Sequence, residues 1–61
     1  MVKQKFIIDG EVFNASIWND HDIFIAECPE LKLQAQGKSI KIARVNLIET
    51  TRMFLQKENE K

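Results

Sequence analysis

The Asp9-Gly10 pair, which lies between two stretches rich in strand-forming residues, constrains this sequence more than any other feature. Asp-Gly is the strongest short signal for a two-residue β-hairpin, because its residues tolerate the positive φ angles of such a turn. The flanking stretches, KQKFIID and EVFNASIW, alternate between apolar and polar residues. Alternation puts successive side chains on opposite sheet faces. In the second stretch the two faces are Phe13, Ala15 and Ile17 against Val12, Asn14, Ser16 and Trp18.

Three further breaks divide the rest of the strand-forming region. The polar segment NDHD at 19–22 predicts a turn, because Asn and Asp bond their own backbone and tolerate left-handed conformations. Pro29 cannot donate to a sheet, so it ends the IFIAEC strand or marks an edge. Gly37 ends the alternating stretch LKLQAQ. The sequence therefore predicts strands at about 3–8, 11–18, 23–28 and 32–36.

Ser39 is a suitable N-cap for a helix that we predict to run over about 39–56. At 3.6 residues per turn, one stripe of this helix is apolar and is expected to pack on the sheet, while Ile42 and Met53 fall roughly opposite it. The charged tail KENEK at 57–61 is expected to fray. The packing stripe consists of Ile40, Ala43, Leu47 and Phe54, flanked by Ile48 and Leu55.

Together these elements predict an α+β fold, in which an antiparallel sheet of three to four strands packs against one C-terminal helix in a single domain, 1–61. One helix covers only one face of a sheet. The other face therefore keeps apolar side chains, and this is either the Phe13 set or the set with Val12 and Trp18. Such a face suggests a partner surface. The simpler interpretation is scattered exposed apolar residues, which are normal.

Size and charge narrow the class of protein. A chain of 61 residues is marginal alone, and one cysteine and one histidine provide neither a disulfide nor a four-ligand zinc site. We therefore expect a homo-oligomer. The formal net charge of zero argues against a large nucleic-acid footprint. We find no apolar run long enough for a bilayer and no signal peptide, and the lone cysteine fits the cytoplasm.

Three basic residues, Lys38, Lys41 and Arg44, cluster at the predicted start of the helix. This placement opposes the helix dipole, which favours acidic residues at the N-terminus. Two interpretations are open. The cluster is either a solvated face that tolerates a small cost, or a basic spot that binds an acidic partner or a phosphate.

Several combinations of residues are candidates for catalysis or metal binding, and most of them also have a simpler structural interpretation. Cys28 is a candidate nucleophile with His21 as its base, although a small buried residue is the usual role of such a cysteine. The turn 20–22 offers ligands for a metal, but adjacent residues on a tight turn rarely converge on one ion. We expect no enzyme, no catalytic residue, no metal and no cofactor. A two-metal nuclease site would draw on Asp9, Asp20, Asp22, Glu27 and Glu30.

Three segments, WNDHDIFIAECPEL, QAQGKS and ARVNLIETTRMFL, resemble in order and spacing the HicB-like antitoxin domain family. The chain departs from the family pattern in four ways. It ends just after the helix, so we expect no direct DNA binding from this chain alone. It has Asp22-Ile23 where the family often has Gly-Gly. It has Lys41 and Arg44 where the family often has Glu. Its N-terminal segment KQKFIIDGE is additional.

The resemblance implies a partial ribonuclease H-like fold and a non-enzymatic module. Such a module forms a homodimer or tetramer and masks the active site of a small basic HicA-like toxin that cleaves mRNA. The alternatives are an orphan homo-oligomeric domain without a toxin, and a residual metal-dependent nuclease. The corner and helix start are Cys28, Pro29, Gly37 and Ser39. The candidate partner contacts are Trp18, Asp20, His21, Asp22, Phe24, Glu27 and Glu30.

Overall fold

A computed structural model describes residues 1–59 of the chain. The strands form one antiparallel sheet in the order β1-β2-β3-β4, so each strand pairs with the next one along the chain. This confirms the predicted α+β class, with a four-stranded antiparallel sheet and one C-terminal helix. The elements are β1 (Val2–Ile8), β2 (Glu11–Asp20), β3 (Ile23–Cys28), β4 (Leu33–Gly37) and α1 (Ile40–Asn59).

The structure and the predicted boundaries differ most at the C-terminus. The helix continues through Asn59, beyond its predicted end at about residue 56, so residues 57–59, which we expected to fray, have helical backbone here. Lys and Glu are good helix formers, and Lys57 lies in the last turn, where a positive charge complements the helix dipole. Residues 60–61, which the same prediction included, lie outside the described residues.

Left-handed backbone shapes each of the three connections between strands. Asp9 and Gly10 have φ angles of 52° and 82°, the positive pair that a tight hairpin turn needs. His21 has a φ of 61° in the connection between β2 and β3. Lys32, with a φ of 55°, returns the chain into β4. Short turns at these points allow the strands to follow one another as neighbours.

The buried core lies on the sheet face that α1 covers. The register aligns Ile17 with Ala26 and Ala26 with Ala35, so one row of side chains crosses three strands beneath the helix. Phe6 pairs with Phe13, and their rings stack at 5.5 Å between centroids. The Phe13 set therefore faces the helix. The buried apolar residues are Phe6, Ile8, Phe13, Ala15, Ile17, Ala26, Cys28, Ala43 and Leu47.

The helix buries a stripe that includes one polar residue. Ala43 and Leu47 are fully buried, whereas Phe54 is only half-buried. Thr51 is fully buried as well, although it does not belong to the predicted apolar stripe. Its hydroxyl donates to the Leu47 carbonyl over 2.8 Å, so burial leaves no unsatisfied polar group on this side chain.

The helix begins against the end of β4. The Ser39 hydroxyl accepts the Ile42 N–H over 3.1 Å, which caps the first turn. At Gly37 a Cβ atom would lie 2.6 Å from the Ala43 nitrogen. The absence of a side chain at Gly37 therefore allows the first turn to rest directly on the strand.

Two helical side chains hold α1 to opposite edges of the sheet. Arg44 donates to the Lys5 carbonyl on β1 over 3.0 Å, and Asn46 donates to the Gln36 carbonyl on β4 over 2.8 Å. Residues two apart on a helix point about 200° apart, so these two side chains leave α1 on opposite sides. The helix is thereby fixed across the sheet as well as pressed onto it.

Candidate partner-binding surface

We use "open face" for the sheet face that points away from α1. Strand alternation assigns to it the residues that lie between the core residues of each strand. These are Lys3, Lys5 and Ile7 on β1, Val12, Asn14, Ser16, Trp18 and Asp20 on β2, Ile23, Ile25 and Glu27 on β3, and Gln34 and Gln36 on β4.

The open face retains a substantial apolar component. Ile7 and Val12 are cross-strand partners and are 67% and 53% exposed. Trp18 pairs with Ile25 in the middle of the sheet, and both are half-buried. A shallow depression of about 240 Å³ lies beside Ile25 and is lined by β4 residues. One helix cannot cover both faces, so these side chains have only each other and solvent.

Charges of both signs share the open face. The register aligns Lys3 with Ser16, Ser16 with Glu27, and Glu27 with Gln34, which forms one row across all four strands. Glu27 accepts a hydrogen bond from the Gln34 amide over 3.3 Å. Lys5 lies two residues beyond Lys3 on the same strand. The face is therefore basic along β1 and acidic at Glu27 on β3.

The turn between β2 and β3 carries the predicted acidic contacts at one end of the sheet. Asp20, His21 and Asp22 are all exposed. The His21 Nδ1 atom lies 2.8 Å from an Asp20 carboxylate oxygen, and the Asn19 amide donates to the Ile23 carbonyl across the turn over 3.3 Å. These contacts hold the turn together and leave Asp22 facing solvent.

The Cys28-Pro29-Glu30 corner closes the opposite end of β3. The Leu31 N–H donates to the Cys28 carbonyl over 3.2 Å, so the chain turns at Pro29. One Glu30 carboxylate oxygen accepts both the backbone N–H and the side-chain amide of Asn14, over 3.1 and 2.9 Å. Glu30 is therefore engaged in holding the corner to β2, although we predicted it as a partner contact.

The environment of Glu30 favours its ionised form. Its own backbone N–H, followed by the Asn14 donors, stabilises the carboxylate and lowers the pKa of Glu30. The Cys28 thiol lies 3.8 Å from the other carboxylate oxygen and donates toward it. The Glu30 carboxylate thus binds two donors of Asn14 on β2 and the Cys28 thiol from the core.

The hypothesis of a Cys28 nucleophile with a His21 base is not supported by the geometry. Cys28 is fully buried, and this burial raises the pKa of its thiol, which keeps it protonated. The two residues lie at opposite ends of β3, a six-residue strand that is about 16 Å long at 3.3 Å per residue. Cys28 instead fills the core beside Leu33, its partner on β4.

The carboxylates suggested for a metal-dependent nuclease do not converge. Asp9 lies in the first hairpin turn, and Asp20 lies at the far end of β2, which has ten residues and is about 30 Å long. Glu27 and Glu30 lie toward the corner. Over residues 1–59, no group of three or more His, Cys, Asp or Glu side chains is placed to hold a metal ion.

One predicted partner contact, Phe24, lies on the helix-covered side of the sheet. Phe24 pairs with Gly37 and Asn19, and its half-buried ring packs against the core on the helix side. Alternation along β3 places Phe24 with Ala26 on the helix side, so Phe24 does not belong to the open face. That signal was present in the sequence. Ile25, which the prediction omitted, occupies the open face instead.

The basic cluster at the helix start is divided by the structure. Arg44 is half-buried and bound to the Lys5 carbonyl, so it has a structural role. Lys38 and Lys41 remain exposed. A three-residue basic spot is therefore not assembled at this position.

The fold and the open face together define a small α+β module with one uncovered sheet face. No family model, curated protein or solved structure matches this chain. Over the described part of the chain, α1 is not apolar enough at any point to cross a membrane.

Proposed function

We propose that the chain is a non-enzymatic protein-interaction module that resembles a HicB-type antitoxin. In this proposal it oligomerises and neutralises a small basic HicA-like toxin, which cleaves mRNA, by covering the active site of that toxin. The module needs no cofactor of its own. An mRNA-cleaving target places its action in the cytoplasm.

The observation that carries this proposal is the acidic end of the uncovered sheet face. Asp20 and Asp22 are exposed at the turn, and Trp18 lies two residues before Asp20 on the same face. Acidic groups complement an RNA-binding surface, which is basic, and they accelerate encounter. A partly desolvated tryptophan behind them is the type of residue that anchors protein interfaces.

The architecture also supports the proposal. The resemblance to HicB-like domains implies an antiparallel sheet with one helix, and the chain has this architecture. The WNDHD and CPEL segments that carry the resemblance form the acidic turn and the corner at the two ends of β3. The turn is the part of the molecule best suited to a basic partner, because Lys3 and Lys5 on β1 repel such a partner farther along the face.

The proposal is tested with a short basic protein encoded beside the gene for this chain. We expect the purified chain to inhibit mRNA cleavage by that protein in a stoichiometric way that weakens as salt concentration rises. Exposed charge pairs contribute about 0.2–1 kcal/mol each. The double substitution Asp20→Asn and Asp22→Asn should therefore weaken binding by about two- to thirtyfold.

Asp9→Asn is the matched control, because Asp9 is an exposed turn aspartate at the opposite end of β2. It should leave inhibition unchanged. The proposal fails if the genomic neighbourhood encodes no such basic protein and pull-downs recover none. If Asp9→Asn weakened binding as much as the double substitution does, the acidic turn would not be part of the interface.

An orphan homo-oligomeric domain is the second candidate. It is favoured by the mixed charge of the open face, where Lys3 and Glu27 share one row. A residual metal-dependent nuclease is not favoured, since its proposed carboxylates lie at opposite ends of the sheet.

A further inference from the structure

The row that contains Lys3, Ser16, Glu27 and Gln34 carries one positive and one negative charge that form no ion pair with each other; over residues 1–59 the Glu27 carboxylate accepts only the Gln34 amide. β1 and β3 are separated by β2, and neighbouring strands lie about 4.8 Å apart, so about 10 Å separates the backbones of Lys3 and Glu27. The ion pairs that the structure shows within residues 1–59 are His21–Asp20 and Arg52–Glu49, both away from this row. Lys3 and Glu27 are therefore available to groups above the sheet.

We propose that the open face is a self-association surface, on which a second copy of this chain packs face to face with Lys3 of each copy opposite Glu27 of the other. The inference rests on the oligomeric part of the proposed function and identifies the surface used. It follows from a symmetry of the row. β2 lies midway between β1 and β3, so the basic and the acidic positions are equally distant from Ser16.

A twofold axis between two facing sheets, parallel to the strands and above β2, generates this arrangement. It places β1 of one copy over β3 of the other, and each contact occurs twice because the interface is isologous. Two antiparallel sheets pack face to face about 10 Å apart in nearly aligned directions. Side chains as long as Lys and Glu reach across that distance from both sides.

The neighbouring rows are compatible with the same axis. Trp18 lies on β2, directly beneath the axis, and therefore meets the Trp18 of the other copy. Ile25 on β3 meets the Met1 side chain, which precedes β1 in the alternation of Lys3 and is 82% exposed. In the row on the other side of Ser16, Lys5 lies over the corner that carries Glu30. Apolar groups thus meet apolar groups, and both lysines meet carboxylates.

Charge complementarity selects a second copy over other occupants. A basic protein seated on the whole face would meet Lys3 and Lys5, and an acidic one would meet Glu27. A second copy satisfies both signs at once, and the chain has no net charge to oppose its own association. The axis also places both acidic turns at one end of the dimer. The inference assigns Trp18 and Glu27, both candidate toxin contacts in the proposed function, to self-association, and only the turn at Asp20–Asp22 is then left for another protein.

The test compares the oligomeric mass of the unmodified chain with that of charge-reversal variants by sedimentation equilibrium. We expect the unmodified chain to reach twice its 7.1 kDa monomer mass. Lys3→Glu and Glu27→Lys should each weaken dimerisation about tenfold or more, because every dimer then contains two like-charge contacts in place of two attractive ones. Lys41→Glu, the same reversal on the exposed helix surface, should have no effect.

Mixing the two variants gives the decisive observation. In a dimer of one Lys3→Glu chain and one Glu27→Lys chain, both contacts again join opposite charges. An equimolar mixture should therefore form a heterodimer, although each variant alone is largely monomeric. The double variant Lys3→Glu/Glu27→Lys should dimerise with itself. Circular dichroism of each single variant verifies that the monomer is folded.

The possible outcomes separate this inference from the proposed function. A chain that is monomeric at hundreds of micromolar, or a dimer that neither reversal weakens, overturns the inference. Mixed variants that remain monomeric overturn it as well. A monomer that still inhibits the basic ribonuclease leaves the proposed toxin contact standing, whereas a dimer that obeys the charge rules but inhibits nothing supports the inference and removes the antitoxin role.

Discussion

The two faces of the sheet are built from the same strands and have opposite properties. On the helix-covered face, Ile17 and Ala26 are fully buried. On the open face, the residues one position along, Ser16 and Glu27, are half-buried and polar. Because side chains alternate with a period of two, a slip of one residue in the register would exchange the two faces. Alternate residues along each strand thus form the core and the open face, and each set can be substituted without changing the other.

Packing on the covered face depends on the close approach of α1 to the strands, whereas association through the open face depends on the positions of its charges. Small residues at Ala26, Ala35 and Ala43 bring α1 close to the strands. Across the open face, the spacing of Lys3 and Glu27 is set by the strand separation rather than by packing. We therefore expect substitutions on the covered face to change the free energy of unfolding and those on the open face to change association.

The largest effect should come from Leu47→Ala. Leu47 is fully buried between α1 and the sheet, and comparable substitutions cost about 2–5 kcal/mol of unfolding free energy. In so small a chain this approaches the whole stability. Urea denaturation measures it. Ile42→Ala on the exposed side of the same helix should cost about 0.5 kcal/mol or less. Similar losses for the two variants would mean that the helix packs through a different stripe.

On the open face, Trp18→Ala should have its main effect on self-association. A central aromatic anchor contributes about 2 kcal/mol or more, which corresponds to about a thirtyfold weaker dimer. Sedimentation equilibrium gives the dissociation constant. Its strand neighbour supplies the contrast, because Ile17→Ala should reduce the unfolding free energy by about 2–5 kcal/mol. An unchanged dissociation constant for Trp18→Ala would show that the open face does not mediate self-association.

The junction of strand and helix gives an intermediate effect. Gly37→Ala should destabilise the chain by about 1–3 kcal/mol, because its Cβ would lie within 3 Å of backbone atoms of Ile42 and Ala43. Gly10→Ala meets no atom within 4 Å and is strained only by its φ of +82°. Asn tolerates that conformation. Thermal unfolding should therefore show that Asn is accepted at position 10 but not at position 37.

Much of this comparison was accessible from the sequence, because alternation and turn residues are local signals. Asp9-Gly10 predicts the first hairpin, Pro29 predicts the end of the third strand, and Ser39 predicts the helix start. Thr51 was missed because a polar residue enters the core only when its hydroxyl bonds back to the preceding turn. The alignment of Lys3 with Glu27 was not predicted either, because it depends on two successive strand registers. Features that depend on the pairing of residues far apart in the sequence therefore require the structure.

Glu30 has contacts on both faces of the sheet, and its substitution is expected to have the smallest effect on stability. One carboxylate oxygen accepts from Asn14 on the open face, and the other receives the thiol of Cys28 from the core. The pKa of Glu30 is lowered in the folded chain, so its ionised form stabilises the fold. That stabilisation is fully present above the ordinary carboxyl pKa and is lost as pH falls through the lowered value.

Glu30→Gln should therefore unfold at a lower temperature than the unmodified chain at neutral pH, and the difference should disappear in acid. Thermal midpoints measured from pH 7 down to pH 3 give this difference directly. Asn14→Ala is the partner variant: it removes the side-chain donor, so Glu30→Gln should have a smaller effect in that background. A difference that stays constant with pH would mean that the glutamate acts through its shape. The two faces would then be joined at this corner by packing, without a contribution from the carboxylate charge.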